Sequence, residues 1–598
     1  MKHLEKLTST LQGFTGTIKR FPLTIVFFFS SAILTSYYIT KEADDNYFEL
    51  LFSFIIGAAL FMVLQLCYER FIRSEKIRLI FATIAVIGAI IYYLILKFAV
   101  EEISTEIAVR TIVLLFILLI LFIWIPSMKS RIGFSDSFMA VFKSFFTVAF
   151  YSAVMFLGIA LILMAIDMLI ADINSKAYRH VLNAIAFLYA PLHFLSLIPL
   201  YPAYNKDAND SVLNLEDNNE KQLIKAIEPS KFLEGLISYI IIPITVVFTF
   251  ILLLYIVLNI TGDFWKDNLM EPLLVSYSIT VITVYLLACV IKSKIAIYFR
   301  MIFPKVLIPV VLFQTVSSVL KIGELGITAG RYYVIMFGIF STVTAFIFSL
   351  RPNSKTNIVA PILIVLSLIS VFPVTDAFTV SRNNQISRLT EVLQKNNMLK
   401  DGKIVPNANI SQEDKQVIIS SVKYLSRMNY TKDIDWLKAY SQSYDFEKTF
   451  GFSQYETDYR DPVVYRLYLP SGVFINVSGY DYIMEAEFYG KDNQVSYELA
   501  DGENKEYILI HENDNDSLGN LLLTDSQKNE LISFSLNEIF DRFTDRDEKV
   551  GEMSLDEARF IVESASASLC IVAKSVNYEV WDGGSYQNIE ALIMIKIK

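Results

Sequence analysis

Eleven long apolar segments fill the first 375 residues of this chain, and they constrain its fold more than any other feature. Each comes close to the roughly 20 residues that an α-helix needs to cross the hydrocarbon core of a bilayer. Such a long succession excludes a soluble protein whose core helices happen to be apolar. We predict transmembrane helices at residues 21–38, 50–67, 79–96, 108–126, 145–168, 182–200, 233–259, 272–291, 305–320, 332–350 and 357–374.

The loops between these segments alternate in positive charge. The N-terminus and every second loop after it hold 21 of the 29 Lys and Arg residues of this half, and the remaining loops hold 8. Because Lys and Arg concentrate on the cytoplasmic side of membrane proteins, the N-terminus is predicted to be cytoplasmic. An odd number of crossings then places the C-terminal part outside the cytoplasm.

The last 223 residues have a different composition, since residues 376–598 carry 23 Lys and Arg against 37 Asp and Glu. This acidic balance argues against nucleic-acid binding, which requires a basic surface. In the first part of this region, apolar residues recur at the spacing of short helices. From about residue 463, apolar and polar residues alternate instead, as they do in β-strands. We therefore expect a polytopic α-helical membrane protein with a C-terminal α+β soluble domain, in which short helices precede an antiparallel, sandwich-like sheet.

Four regions follow from these patterns. They are an amphipathic interfacial helix (1–20), a transmembrane helical domain (21–375), a helical connector (376–460) and a β-rich extracytoplasmic domain (461–598). Within the last region we predict strands at 463–469, 473–480, 482–489, 506–512, 519–525, 560–580 and 592–598.

Three polar residues within the apolar segments are candidates for a substrate or ion site, because a charge at the centre of a bilayer costs about 2.5–3.5 kcal/mol on insertion scales. His193 follows Pro191 in the sixth segment and could instead be a packing histidine at a kink. Gln314, with two serines one turn later, could line a pathway or bond a neighbouring helix. Asp167 near the end of the fifth segment could couple an ion or simply be solvated.

Arg331 and Tyr332, at the start of the tenth segment, are a candidate contact for a lipid phosphate, because arginine binds phosphate in a bidentate manner. The alternative is an aromatic and basic anchor at the membrane interface. No sequence pattern points to a metal site, a cofactor or a catalytic residue: the three cysteines and four histidines form no metal-binding cluster, and no nucleotide-binding or nucleophile motif occurs. We therefore expect no cofactor, and enzyme activity is disfavoured.

Several stretches together resemble a family of bacterial multi-pass membrane proteins catalogued as domain of unknown function 4153. They are RFPLTIVFF (20–28), APLHFLSLIP (190–199), GITAGRYYVIMFGIF (326–340) and VTDAFTVSRNNQISRLTEVLQKNNMLKDGKIVP (374–406). The resemblance covers the membrane half and the first soluble helices. It implies a bacterial plasma-membrane protein with an extracytoplasmic C-terminal domain, and it implies no reaction.

Two functions from different classes remain open. The first is a transporter or handler of lipids or lipid-linked envelope precursors, favoured because a mere anchor seldom needs eleven helices. The alternative is a membrane-anchored scaffold or signalling protein whose β domain binds an envelope protein. A membrane enzyme ranks last, because no convergent set of carboxylates or phosphate-binding groups is visible. The lipid bilayer is the one partner common to all of them.

Overall fold

The computed structural model describes residues 13–41, 47–98, 104–203, 217–259, 270–350, 356–438, 440, 445–454, 463–489, 495–501, 504–514, 517–544, 550–581 and 584–598. Within these residues, ten helices are long and apolar enough to cross a membrane, and one further apolar helix is shorter. The polytopic helical fold is therefore confirmed. Residues 1–12 of the predicted interfacial helix lie outside the described residues, and residues 13–20 are helical.

The helices of the membrane half, in chain order, are α1 (13–20), α2 (Pro22–Lys41), α3 (Tyr47–Phe71), α4 (Glu75–Phe98), α5 (Thr105–Trp124), α6 (Phe134–Leu169), α7 (Lys176–Ala184), α8 (Ala190–Leu197), α9 (Asp217–Ile227), α10 (Lys231–Leu236), α11 (Ile242–Asn259), α12 (Met270–Ala288), α13 (Lys294–Leu325), α14 (Ala329–Leu350) and α15 (Val359–Ile369). A π-helical turn at Ile185–Tyr189 joins α7 to α8, and a second one at Ile237–Ile241 joins α10 to α11, so that each pair is continuous. Short 3₁₀ turns follow α5 at Ile125–Ser127 and precede α15 at Thr356–Ile358.

The short helix α15, which has only 11 residues, lies alongside α5. Before α15, the Asn357 amide donates to the carbonyl of Ser127, at the C-terminal end of α5 (3.3 Å). After α15, Asp376 accepts a hydrogen bond from Arg110, near the N-terminal end of α5 (2.8 Å). The segment from 357 to 376 therefore runs antiparallel to α5 from one end to the other. Its irregular ends supply the length that α15 itself lacks.

Beyond the membrane helices, α16 (Ala377–Lys395) leads into a hairpin of β1 (Leu399–Lys400) and β2 (Lys403–Ile404), and then α17 (Gln412–Arg427). Asp376 is the N-cap of α16, and its Oδ1 accepts the backbone N–H groups of Phe378 (3.0 Å) and Thr379 (3.1 Å). Two 3₁₀ turns, Thr431–Asp433 and Asp435–Leu437, and the short helix α18 (Phe446–Phe450) complete the expected series of short helices.

The chain divides into two compact units. The first comprises Met1–Asn407 and Val417–Asp445, and the second comprises Ala408–Gln416 and Phe446–Lys598. The first unit therefore contains the membrane helices together with α16, while the second contains the strands from β3 onwards.

The second unit is built from two sheets around one core. The strands are β3 (Val463–Tyr468), β4 (Tyr482–Tyr489), β5 (Val495–Asp501), β6 (Asn504–Asp514), β7 (Ser517–Asp525), β8 (Glu530–Ser535), β9 (Val550–Glu552), β10 (Arg559–Glu563), β11 (Ala567–Trp581) and β12 (Gly584–Ile597). One sheet has the order β4-β12-β11-β3-β9, with β10 also paired to β11, and the other has the order β5-β6-β7-β8. Two short helices, α19 (Asn537–Thr544) and α20 (Leu555–Ala558), lie between strands in the sequence.

The predicted α+β domain with antiparallel sheets is confirmed, with one strand misplaced. Residues 473–480 alternate as a strand would, but the structure has no strand there and leaves Phe474 96% exposed. The sheet also differs from the antiparallel prediction in one place, where β3 pairs with β9 in parallel. The other described pairings between strands are antiparallel.

Candidate functional site

An apolar slot of about 550 Å³ lies between α5, α6, α12, α14 and α15. This volume falls within the roughly 300–1,000 Å³ that is usual for ligand sites. Aromatic and branched aliphatic side chains form nearly all of its wall, among them Phe116, Phe138, Ile279, Phe337, Phe340 and Leu363. Such a wall suits a hydrocarbon guest, because it offers dispersion contacts and few hydrogen-bonding groups.

The slot is long and narrow rather than round. Val359 and Ser370 both line it and are eleven residues apart along α15. At 1.5 Å per helical residue the slot is therefore about 16 Å long, half of a hydrocarbon core of ~30 Å. On one side its rim consists of Ile112, Phe116 and Ile279, whose side chains are exposed on the outer surface of the bundle. A guest could enter sideways from the lipid.

One end of the slot carries the polar atoms. Tyr333, Ser367 and Ser370 line that end. The Ser370 hydroxyl donates to the Ser367 carbonyl (2.8 Å), and the buried Tyr333 hydroxyl lies beside the Ser370 side chain. Each of these hydroxyls can also accept a hydrogen bond from a polar group at this end.

Just beyond this end lies a charged group of four residues, Glu106, Arg110, Asp376 and Tyr430, which we call the junction cluster. Arg110 Nη2 donates to Glu106 (2.7 Å) and to Asp376 (2.8 Å), and the Tyr430 hydroxyl donates to Glu106 Oε2 (2.8 Å). Arg110 precedes Ile112 of the slot by two residues. The junction cluster therefore fixes α5 to the start of α16 at the polar end of the slot.

Opposing effects set the ionisation of Asp376 and Tyr430, the two members of the junction cluster that lie outside the membrane helices. Burial alone would raise the pKa of Asp376, but hydrogen bonds from Arg110 and Thr379 outweigh it and hold the pKa below its ordinary value. Burial, and then the hydrogen bond to Glu106, raise the pKa of Tyr430. At neutral pH Asp376 is therefore a carboxylate and Tyr430 a neutral hydrogen-bond donor.

Gln314, predicted as a site residue, is fully buried in α13. Neither its amide nitrogen nor its amide oxygen has a hydrogen-bond partner among the described residues. One turn later the Ser318 hydroxyl donates to Glu271 Oε1 (3.0 Å). Gln314 is not in the wall of the slot, so the two features are separate.

His193 is surrounded by aromatic rings. The rings of Phe14, Tyr151 and Tyr189 lie with centroids 6.1, 5.7 and 5.4 Å from its imidazole. Its Nδ1 is buried and has no hydrogen-bond partner within the described part of the chain. These contacts match those of a packing histidine, and the predicted substrate role stays a prediction.

Asp167 lies at the C-terminal end of α6, where it is exposed. Its Oδ1 accepts the backbone N–H of Ile173 (2.5 Å) and so closes the turn after the helix. The structure does not bring Asp167 together with Gln314 or His193 in a described contact. A coupling role for Asp167 remains a prediction.

Arg331 and Tyr332 both bond to the protein backbone. Arg331 is only 7% exposed, and its Nη1 donates to the carbonyl of Gly326 at the end of α13 (2.8 Å). Arg388 donates to two more carbonyls of that helix end, those of Ile322 (3.0 Å) and Gly323 (3.2 Å). The Ile322 carbonyl also accepts the Gly326 N–H (2.9 Å), whereas the Gly323 and Gly326 carbonyls lie at the helix terminus, where side chains commonly replace the missing backbone donors.

The Tyr332 hydroxyl donates to the carbonyl of Thr375 (2.7 Å) and thereby joins α14 to the turn before α16. The predicted contact of Arg331 and Tyr332 with a phosphate stays a prediction. Arg110 is the residue at this end that sequence reasoning missed. Its signal was its position two residues inside a predicted membrane segment, where an arginine is rare and usually paired.

No metal-binding group was expected. Among the described residues no group of three or more His, Cys, Asp or Glu side chains is placed to hold a metal ion.

A family model, described as Domain of unknown function (DUF4153), matches residues 29–404. This match spans more than half of the chain. The chain belongs to this family. No curated protein and no solved structure matches it.

Arg20 joins two distant stretches of the sequence, of which 20–28 precedes the matched residues and 190–199 lies within them. Its guanidinium donates to both oxygens of Glu69 (2.8 and 2.7 Å), and also to the carbonyls of Ile198 (2.7 Å) and Pro199 (3.1 Å). The arginine that begins RFPLTIVFF therefore holds the end of APLHFLSLIP. The family match also covers every residue that lines the slot, together with Gln314 and Arg331.

Proposed function

We propose that the membrane bundle binds the hydrocarbon chain of a lipid or lipid-linked envelope precursor, and that it carries or presents this molecule in a bacterial plasma membrane. The apolar slot is the observation that supports the proposal. Its length of about 16 Å corresponds to one leaflet of a hydrocarbon core that is ~30 Å thick. Its rim at Ile112, Phe116 and Ile279 faces the lipid side of the bundle.

The polar end of the slot suits the other part of such a molecule. A chain lying in the slot would place its polar group near the Tyr333 hydroxyl and Ser370, beside the junction cluster. Arg110 there carries a positive charge that is shared between two carboxylates. Because this charge is already paired, a polar headgroup that offers hydrogen bonds fits this setting better than a second apolar chain.

The proposal includes an orientation. Alternating Lys and Arg in the loops favours a cytoplasmic N-terminus, and eleven crossings then favour an extracytoplasmic C-terminal domain. The antiparallel course of α15 along α5 supports the eleventh crossing. With this orientation, α14 begins on the outer side, so that the polar end of the slot faces the extracytoplasmic surface.

A photoreactive phospholipid with a diazirine in its acyl chain tests the proposal. The protein would be reconstituted in nanodiscs containing this lipid, irradiated, digested and mapped by mass spectrometry. We expect crosslinks on the slot faces of α5, α12, α14 and α15. Val334→Phe, which fills part of the slot, should reduce these crosslinks severalfold.

Val343→Phe is the matched control, because it makes the same change on the same helix at an exposed position outside the slot. It should leave the crosslinks unchanged. Crosslinks spread evenly over the lipid-facing surfaces of α4 and α6, with no effect of Val334→Phe, would overturn the proposal. That outcome would favour a scaffold whose β domain binds an envelope protein.

A further inference from the structure

Several buried serines in these membrane helices bond to their own helix, and others bond to a neighbouring element. The hydroxyls of Ser31, Ser144 and Ser278 each donate to the carbonyl one turn earlier, at 3.0, 2.8 and 2.9 Å. This local bond is the ordinary solution for a serine in a membrane, because it leaves no hydroxyl proton unpaired in an apolar setting.

Three serine or threonine hydroxyls of α14, those of Ser341, Thr344 and Ser349, depart from this pattern among the described residues. Ser341 and Thr344 are fully buried, and their hydroxyl oxygens have no hydrogen-bond partner among the described residues. Being three positions apart, they lie on the same face of the helix. Gln314 of α13 is equally buried, and both of its amide atoms are unpaired within the described part of the chain.

These three side chains lie at nearly the same height in the bundle. The helices α13 and α14 are consecutive and antiparallel, and a Cβ added at Gly338 would overlap the Thr315 hydroxyl, so residues 315 and 338 are level. Gln314 is next to Thr315, and Ser341 and Thr344 lie three and six residues beyond Gly338. At 1.5 Å per residue all three fall within about 8 Å along the bundle axis.

The height is close to the middle of the membrane. Gln314 lies eleven residues before the end of α13, or about 16 Å from it, in a hydrocarbon core of ~30 Å. The same face of α13 continues with Ser318, which donates to Glu271, and with buried Lys321. Polar side chains therefore extend from this level to the end of the helix, where water is available.

The three groups define the chemistry of their guest. An amide has two donors and an acceptor, and each hydroxyl can donate and accept, while none of the three is charged. A cation would leave the amide N–H groups unpaired, and an anion would leave the acceptors unpaired. We propose that Gln314, Ser341 and Thr344 form a hydrated site inside the bundle that binds neutral hydroxyl groups, those of water or of a polyol such as a sugar. This site is independent of the proposed lipid slot.

Thiol accessibility tests the site in intact membrane vesicles. In a chain whose native cysteines are replaced by alanine, Ser341→Cys would be treated with the small neutral reagent methyl methanethiosulfonate. We expect modification about tenfold faster than for Ser31→Cys, because only a hydrated thiol forms the reactive thiolate readily. Ser31 is the matched control, since it is equally buried but bonded to its own helix.

Comparing the modification rate with and without an added polyol identifies which molecule supplies the hydroxyl groups. Protection of Ser341→Cys by high concentrations of glucose or glycerol would indicate a polyol, and modification without protection would indicate water alone. Both results support the site. Equal, slow modification of Ser341→Cys and Ser31→Cys would overturn it.

Hydroxyl-radical footprinting of the unaltered protein in nanodiscs covers the case in which a cysteine variant does not fold. Oxidation on α14 around Ser341 and Thr344 above the level around Ser31 supports the site. Equal oxidation at the two places contradicts it.

Discussion

The Asp376 carboxylate performs two tasks that substitution can separate. It caps α16 by accepting the N–H groups of Phe378 and Thr379, and it accepts a charge-assisted hydrogen bond from Arg110. Asp376→Asn keeps an oxygen acceptor for the cap but removes the charge. Asp376→Ala removes both. The difference between the two variants therefore reports the hydrogen bonds to this oxygen, which are those of the cap and of Arg110.

The structure sets the expected sizes. Loss of an N-cap costs about 1 kcal/mol. Replacement of the carboxylate by a neutral amide, which weakens the bond from Arg110 and puts an N–H group at the buried position of Oδ2, costs about 2 kcal/mol. Arg110 keeps its bond to Glu106 (2.7 Å), so its charge is not left unpaired and the larger penalty of a broken buried ion pair does not apply. We expect α16 to lose about 2 kcal/mol of stability against local opening in Asp376→Asn and about 3 kcal/mol in Asp376→Ala.

Hydrogen–deuterium exchange of the full chain in nanodiscs measures this opening. At 1.4 kcal/mol for each factor of ten, peptides from α16 should exchange roughly 30-fold faster in Asp376→Asn and roughly 100-fold faster in Asp376→Ala. Asp435→Asn is the matched control. Asp435 is exposed and pairs only with Lys438 among the ion pairs of the described residues, so exchange in α16 should not change.

The pH dependence follows from the lowered pKa of Asp376. A carboxyl whose pKa is lower in the folded protein stabilises the fold above its ordinary pKa of 3.8, and this stabilisation is lost as the pH falls through the folded value. The difference between the original chain and Asp376→Asn should therefore be constant near neutral pH and shrink below pH 3.8. Equal exchange in the two variants, or a difference that persists in acid, would refute the two-task account.

Three further results follow from the packing. Glu69→Gln should destabilise the bundle by about 2 kcal/mol, because it breaks a bidentate pair with arginine; thermal unfolding in nanodiscs would measure this loss, and exposed Glu75→Gln should have no effect. Gly326→Ala should cost about 1–3 kcal/mol in the same assay, because the glycine has a φ of 70°, whereas Gly323→Ala, with open space around it, should be neutral. Buried Cys570, whose pKa is raised by burial, should resist iodoacetamide at pH ~8 until denaturant is added; rapid labelling would contradict its burial.

The membrane helices could be predicted because the bilayer imposes one simple rule. An apolar run of about 20 residues must form a helix there, since every backbone polar group needs an internal partner. Helix ends were less predictable. The segment predicted at 305–320 is part of a 32-residue helix, α13, whose first turns carry charge and so lie outside the apolar run. Hydropathy reports burial in lipid and not the length of the helix.

The β domain shows what pattern alone cannot supply. The strand β4 at Tyr482–Tyr489 coincides with its prediction, because eight residues alternate between the two faces of a sheet. Residues 473–480 alternate equally well, but no strand pairs with them. The parallel pair of β3 and β9 joins residues about 80 positions apart in sequence. Pairing of this kind depends on the whole domain, and local periodicity does not encode it.

The candidate sites were predictable only in part. Gln314 stands out in sequence because an amide in an apolar segment is rare. Ser341 and Thr344 do not, because many buried serines and threonines of a membrane helix bond to their own backbone, and only the structure distinguishes those that do not. The slot could not be predicted from the sequence for a different reason. Its wall consists of ordinary apolar residues, and the space between them is a property of helix packing.

The extent of the family match bears on where a shared function would reside. The match ends at residue 404, close to Asn407, where the first continuous stretch of the membrane-containing unit ends. It includes α16, whose Arg388 caps the end of α13, so this helix is a structural part of the bundle. The slot, the site at Gln314 and the first three members of the junction cluster all lie within the match, whereas the strands β3 to β12 lie beyond it. The residues that the family model describes are therefore those of the bundle and of α16, and we propose that a function common to the family is carried out by them.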